Sequence, residues 1–132
     1  PSVELVILTC GHIDNSSGDR FAMVHYLSHQ DYGGTAFYRH KATGFESVTP
    51  DRHRAFLDRL EQEFAENSAP EAGYIAGDTP LFTQIASVDH SYNRAVIYAG
   101  NLLHCSTTRN DIHLPDNAET GRLTIAAFML AR

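Results

Sequence analysis

The sequence predicts an all-β domain with one inserted helix, closed into a sandwich or barrel of the jelly-roll kind. Three observations predict it. Short runs rich in β-branched and aromatic residues recur along the chain, seven or eight in all. Turns rich in Gly, Asn and Ser separate them. Only one segment has helical spacing, so alternating β and α elements do not fit.

Residues 3–9 (Val-Glu-Leu-Val-Ile-Leu-Thr) read as a buried strand, being β-branched and apolar. Residues 20–28 form a second strand, with Ala22, Val24 and Tyr26 on one face and Phe21, Met23 and His25 on the other. The third is 35–40, reached through Tyr32-Gly33-Gly34, and 45–48 makes a further short strand. Thr49-Pro50 then opens the helix, Thr as N-cap and Pro at the first helical position. Phe56, Leu57, Leu60 and Phe64 recur at helical spacing through 51–66. Four strands follow, at 80–88, 93–99, 102–107 and 122–130. The sequence places 93–99 and 102–107 as neighbours, with the Gly100-Asn101 turn setting their register. Residues 108–121 are polar and turn-rich. No internal repeat or linker divides the chain, so 1–132 is expected to be a single domain.

Composition limits what such a domain does. The chain has 132 residues, enough for one core. Its 10 basic and 16 acidic residues give a net charge of -6, which argues against nucleic acid as a partner. No apolar run reaches the length of a membrane span, and the first residues lack the basic start and apolar core of a signal peptide. Two cysteines are too few for a disulfide scaffold, so reduced thiols and a cytoplasmic location are expected. Eight histidines are many for this length and point to a metal or acid-base site.

His12-Ile13-Asp14 follows the first strand. Two ligands at i and i+2 point to one side of an extended segment. Imidazole and carboxylate suit Fe(II), and a third ligand, His104, would complete a two-His-one-carboxylate triad. A second His-x-Asp, His29-Gln30-Asp31, sits in a polar turn, whereas the first is carried by a buried-looking strand and is preferred. A zinc site from Cys10, His12, His104 and Cys105 is the competing metal reading. Adjacent strand residues 104 and 105 face opposite sides, which weighs against it. Arg122 and Thr124 share a face at the start of the last strand, and an Arg fork beside a hydroxyl suits a carboxylate. Arg94 and Arg20 remain alternatives for that role. Tyr38 and His40, on one face of 35–40, are candidates to line a pocket.

The order His12-x-Asp14, His104, Arg122-x-Thr124 on a many-stranded β chain resembles the Fe(II)- and 2-oxoglutarate-dependent oxygenases, and more closely their prolyl-hydroxylase-like branch. Residues 12–28 are similar to that branch's ligand strand, turn and following Tyr-Leu strand. Residues 32–34 resemble its Gly-Gly lead into the next strand, and 93–104 the segment around its distal histidine. Gly33-Gly34-Thr35-Ala36-Phe37-Tyr38-Arg39-His40 looks most like an uncharacterised bacterial group of that superfamily. The resemblance implies a double-stranded β-helix, cupin-like, with Fe(II) held by His12, Asp14 and His104. It implies that 2-oxoglutarate is held by Arg122, helped by Thr124 and Tyr26. Arg122 follows His104 by 18 positions, more than the branch's usual interval, and the helices that usually precede the metal strand are not in the sequence. The expected activity is a dioxygenase that hydroxylates a small molecule or an amino-acid or peptide side chain, with a homodimer compatible. The alternatives are a non-catalytic cupin-like module binding a metal or small acid, and a purely structural sandwich.

Overall fold

The computed structural model describes residues 3–8, 20–67, 77–108 and 114–130. His12 and Asp14, with Cys10, lie outside the described residues. The elements are β1 (Glu4–Leu8), β2 (Arg20–Tyr26), β3 (Thr35–His40), α1 (His53–Asn67), β4 (Phe82–Val88), β5 (Arg94–Ala99), β6 (His104–Ser106) and β7 (Thr124–Leu130). Among the described residues the chain is therefore mostly β with one helix, as the turn-punctuated pattern predicts. Residues 45–48 contribute only an isolated bridge, Ser47 to Leu102.

Two sheets form. One has four strands in the order β1-β5-β2-β7, the other three in the order β4-β3-β6. β1 runs parallel to β5, and every other pairing is antiparallel. Ala22 lies opposite Tyr98 and Phe128, Val24 opposite Val96 and Ala126, and Tyr26 opposite Arg94 and Thr124. Directly opposed residues share a face, so Ala22, Val24 and Tyr26 face the same way, as the alternation in 20–28 predicts. That face closes the core. Ala22, Tyr26, Phe37, Val88, Val96, Tyr98 and Leu102 form one buried cluster. Phe37 of the second sheet meets Tyr98 of the first edge-on, ring centroids 5.2 Å apart. Truncating an aromatic at such a contact costs about 3–5 kcal/mol.

The Gly100-Asn101 corner differs from expectation. β5 and β6 are not neighbours: β5 belongs to the first sheet and β6 pairs with β3 in the second. A two-residue hairpin needs positive φ in its turn, and neither Gly100 nor Asn101 has it. The corner is closed by Leu102 N–H donating to the Ala99 carbonyl, 3.1 Å, and Gly100 N–H is taken by the Arg20 carbonyl, 3.0 Å. The chain thus leaves one sheet and enters the other.

The helix also starts later than expected. Residues 50–52 form a turn, the Thr49 hydroxyl donates to the Asp51 carboxylate instead of accepting from helix amides, and regular helix begins at His53. α1 packs on the face of β3 turned away from the core. There His40, fully buried, bonds Glu63 through Nε2 at 2.8 Å and Thr43 through Nδ1 at 2.8 Å, and its ring meets Phe56. Leu57 and Phe64 of the expected apolar stripe are exposed, while Glu63 is buried. A buried carboxylate needs a partner, so the His40–Glu63 pair sets which side of the helix faces inward. Tyr38 and His40 accordingly belong to the helix-covered face, with Tyr38 against Phe82, and not to the inter-sheet space that Thr35 and Phe37 face. Among the described residues no helix is long and apolar enough to cross a membrane.

Candidate functional site

Four of the predicted site residues are described, and they divide into two neighbouring positions on the inner face. His104 opens β6, opposite Phe37 of β3. Its ring lies 4.7 Å from that of Tyr98 and 6.3 Å from that of Phe37, centroid to centroid, so it points into the space between the sheets while keeping an exposed edge. Nδ1 is 2.6 Å from the Leu102 carbonyl oxygen. A carbonyl can only accept, so in the neutral ring Nδ1 carries the hydrogen and Nε2 keeps its lone pair. This is how metal-binding histidines are commonly oriented.

The second position is one step along the strands. Tyr26, the last residue of β2, is fully buried, and its hydroxyl shares a 2.5 Å hydrogen bond with that of Thr35 on the facing sheet. Thr124 lies directly opposite Tyr26. Burial pushes the Tyr26 phenol above its ordinary range. The Thr35 hydrogen bond, then the positive charges of Arg122 and Arg94, act in the opposite direction. Tyr26 is therefore a neutral donor at neutral pH, next to cationic charge. Burial likewise raises the Tyr98 phenol, with Tyr26 a smaller contributor.

Arg122 and Arg94 differ in what already engages them. Arg94 holds the Glu4 carboxylate through Nη2 at 2.9 and 3.0 Å and the Asp89 carbonyl through Nη1 at 2.8 Å. Its guanidinium ties β1 to β5. Both arginines have a buried Nε with no hydrogen-bond partner, but among the described residues no ion pair reaches Arg122. A buried cationic N–H left unmade is costly; beside Arg94 the Glu4 carboxylate offsets the charge, whereas Arg122 has no carboxylate partner among the described residues. Arg20, the third candidate, lies opposite Leu130 at the far end of β2 from Tyr26.

The long segment between His104 and Arg122 is tied back to this position. Gly121 N–H donates to the Asn117 carbonyl at 2.8 Å, and the Tyr32 hydroxyl donates to the Thr120 carbonyl. Leu123 N–H donates to Ser28 Oγ at 2.6 Å, and Leu27 N–H to the Leu123 carbonyl at 3.0 Å. His90 donates from Nε2 to the Ser28 carbonyl at 2.9 Å and tilts against the Tyr26 ring, 5.4 Å away. These bonds fix the backbone beside Arg122 regardless of how many residues precede it.

Thr35, Ser28 and His90 escape the reading of the sequence. Thr35 had a signal, since it shares strand parity with Phe37 and follows the glycines. Gly33 has φ +100°, and a Cβ on Gly34 would lie 1.9 Å from the Val88 carbonyl oxygen, so only glycine lets the chain turn into β3 there. Ser28 and His90 act through main-chain atoms distant in sequence and had none. Cys105 faces away from His104, toward Tyr38, whose phenol is pushed up to about 12 by burial, then by the neighbouring Cys105 thiol and the Asp78 charge. Among the described residues no group of three His, Cys, Asp or Glu side chains could hold a metal ion.

Together the fold and site define a two-sheet β domain with a lone-pair histidine and, among the described residues, an arginine without a carboxylate partner on one inner face. The chain belongs to a family of unknown function, DUF6445, whose signature matches residues 5–129. No curated protein and no solved structure matches it.

Proposed function

We propose that the protein is a non-haem Fe(II)- and 2-oxoglutarate-dependent dioxygenase that hydroxylates a small molecule or an amino-acid or peptide side chain. The observation that carries the reading is that Arg122 has no carboxylate partner among the described residues while its charge acts on the Tyr26 hydroxyl, which is bonded to that of Thr35, with Tyr26 itself opposite Thr124. A guanidinium with two or three hydroxyls is complementary to a carboxylate, such as the far one of 2-oxoglutarate.

The strand arrangement agrees with a double-stranded β-helix. Successive strands from β2 to β7 fall in the first, second, second, first, second and first sheet, an alternation expected of a jelly roll. Iron would be held by His104 through Nε2, with His12 and Asp14 as the ligands implied by the sequence. The donor set, two imidazoles and a carboxylate, fits Fe(II) and leaves positions open. Bound iron would let dioxygen act as the oxidant, one oxygen atom going into succinate as 2-oxoglutarate loses CO2 and the other into the hydroxyl formed at a C–H bond.

The chain's own residues do the rest. The Leu102 carbonyl fixes the tautomer and direction of His104. Arg122 and Tyr26 orient the cosubstrate from its far end, with Thr35 holding the Tyr26 hydroxyl. Phe37 and Tyr98, both buried, form the apolar wall between the two positions and exclude water there.

The test is anaerobic addition of Fe(II) and 2-oxoglutarate. A visible charge-transfer band, lost in His104→Ala, is expected. No band and no binding of 2-oxoglutarate would sink the reading. Binding of both without succinate under any substrate would leave a non-catalytic cupin-like module.

A further inference from the structure

A cavity of about 730 Å³ opens at the rim of the sandwich, where β2 begins and β7 ends. Its lining includes Arg20, Phe21, Asn101, Phe128, Met129 and Leu130. The size is that of a small-molecule site. Phe128 is 86% exposed, and Leu130 and Met129 are exposed beside it, a concentration of open apolar surface that points to a ligand. In a chain of net charge -6, no acidic residue lines the cavity among the described residues, and Arg20 is the one charged residue among them that does. No hydrogen bond or ion pair engages the Arg20 side chain among the described residues.

The cavity is in line with the candidate site. Phe128, Ala22 and Tyr98 lie side by side in one cross-strand row, and the His104 ring rests on Tyr98. Arg122 and Tyr26 lie toward the opposite end of β2. A molecule at the rim would therefore approach His104 from the side away from the arginine that receives the cosubstrate.

We propose that this cavity is the substrate site, and that it takes a small carboxylic acid with an apolar body, its carboxylate paired to Arg20. The assignment as substrate rests on the dioxygenase reading, but the binding site does not require iron. Apolar surface supplies most of the affinity, and Arg20 supplies the preference for an anion.

The chain has two methionines, and Met129 lines the cavity whereas Met23 does not. Protein labelled with 13C at the methionine methyls is titrated with octanoate and, separately, with 1-octanol. Octanoate is expected to shift the Met129 signal and leave Met23 in place, with 1-octanol about tenfold weaker or more. Arg20→Gln should weaken octanoate by about tenfold and abolish the preference over the alcohol, while Arg20→Lys retains part of it. An unmoved Met129 signal, equal affinity for the two probes, or an Arg20→Gln protein that binds octanoate as before overturns the inference. Succinate formation with Fe(II) and 2-oxoglutarate is measured separately. A Met129 shift with no 2-oxoglutarate binding supports the cavity and counts against the dioxygenase reading. Turnover of another substrate with Met129 unmoved counts against the cavity alone.

Discussion

Replacing Arg122 by methionine separates what this residue does for function from what it does for stability. In the unliganded protein its Nε is buried without a partner, and the Tyr26 hydroxyl is already bonded to Thr35. Methionine keeps much of the apolar stem and removes the unmet donor. An unsatisfied buried donor costs about 1–3 kcal/mol. Part of the Arg122 side chain is open to water, so the gain is set near the low end, about 1 kcal/mol. The variant should unfold at equal or slightly higher urea concentration than the parent. Binding should move the other way. Hydrogen bonds to a charged group contribute about 1.5–3 kcal/mol, so losing the fork weakens 2-oxoglutarate by roughly 10- to 100-fold. Thermal unfolding with Mn(II), an air-stable stand-in for Fe(II), reads both effects. Saturating 2-oxoglutarate at 100 times its Kd should stabilise the parent by about 2.7 kcal/mol and the variant far less. The reasoning is refuted if Arg122→Met is clearly less stable without ligand, or if 2-oxoglutarate stabilises both proteins equally.

Other outcomes follow from the fold. His40→Ala removes the imidazole that hydrogen-bonds the buried Glu63 carboxylate at 2.8 Å and should cost about 3 kcal/mol in urea unfolding. His40→Leu with Glu63→Leu should recover most of that loss, and failure to do so would mean the pair is not what docks α1. Gly34→Ala forces a Cβ to 1.9 Å from the Val88 carbonyl and should destabilise by more than about 2 kcal/mol, whereas Gly44→Ala, with open space around it but φ +73°, should cost about 1 kcal/mol. The raised phenols of Tyr26, Tyr38 and Tyr98 make the folded state hold protons that the unfolded chain loses near pH 10.0. Their stabilisation is complete below that pH and is lost as pH rises, through about 12 for Tyr38. Unfolding titrations should show stability falling above pH 10, less steeply in Tyr38→Phe.

What the sequence determined was largely one-dimensional. Alternation in 20–28 put Ala22, Val24 and Tyr26 on one face because strand period alone decides that, and packing against the second sheet made it the core face. The β3 run was legible end to end, since Gly33 and Gly34 before it and Lys41-Ala42-Thr43 after it mark its limits. The equal parity of Arg122 and Thr124 needed only that they lie on one extended segment. Tertiary structure decided which surfaces met. The Gly100-Asn101 turn has hairpin residues, yet its backbone directs β6 into the other sheet, because β3 offers His104–Ser106 a partner that β5 does not. The apolar stripe of α1 predicted Leu57 and Phe64 inward, but burying Glu63 against His40 rotated the helix, and that pair is invisible to periodicity. Choosing among three arginines was also a matter of contacts. Arg94 is occupied by Glu4 and Asp89, Arg20 lies at the rim, and Arg122 has no carboxylate partner among the described residues. Spacing along a chain fixes which side a residue faces, whereas the partner that satisfies its charge arrives from strands dozens of residues away.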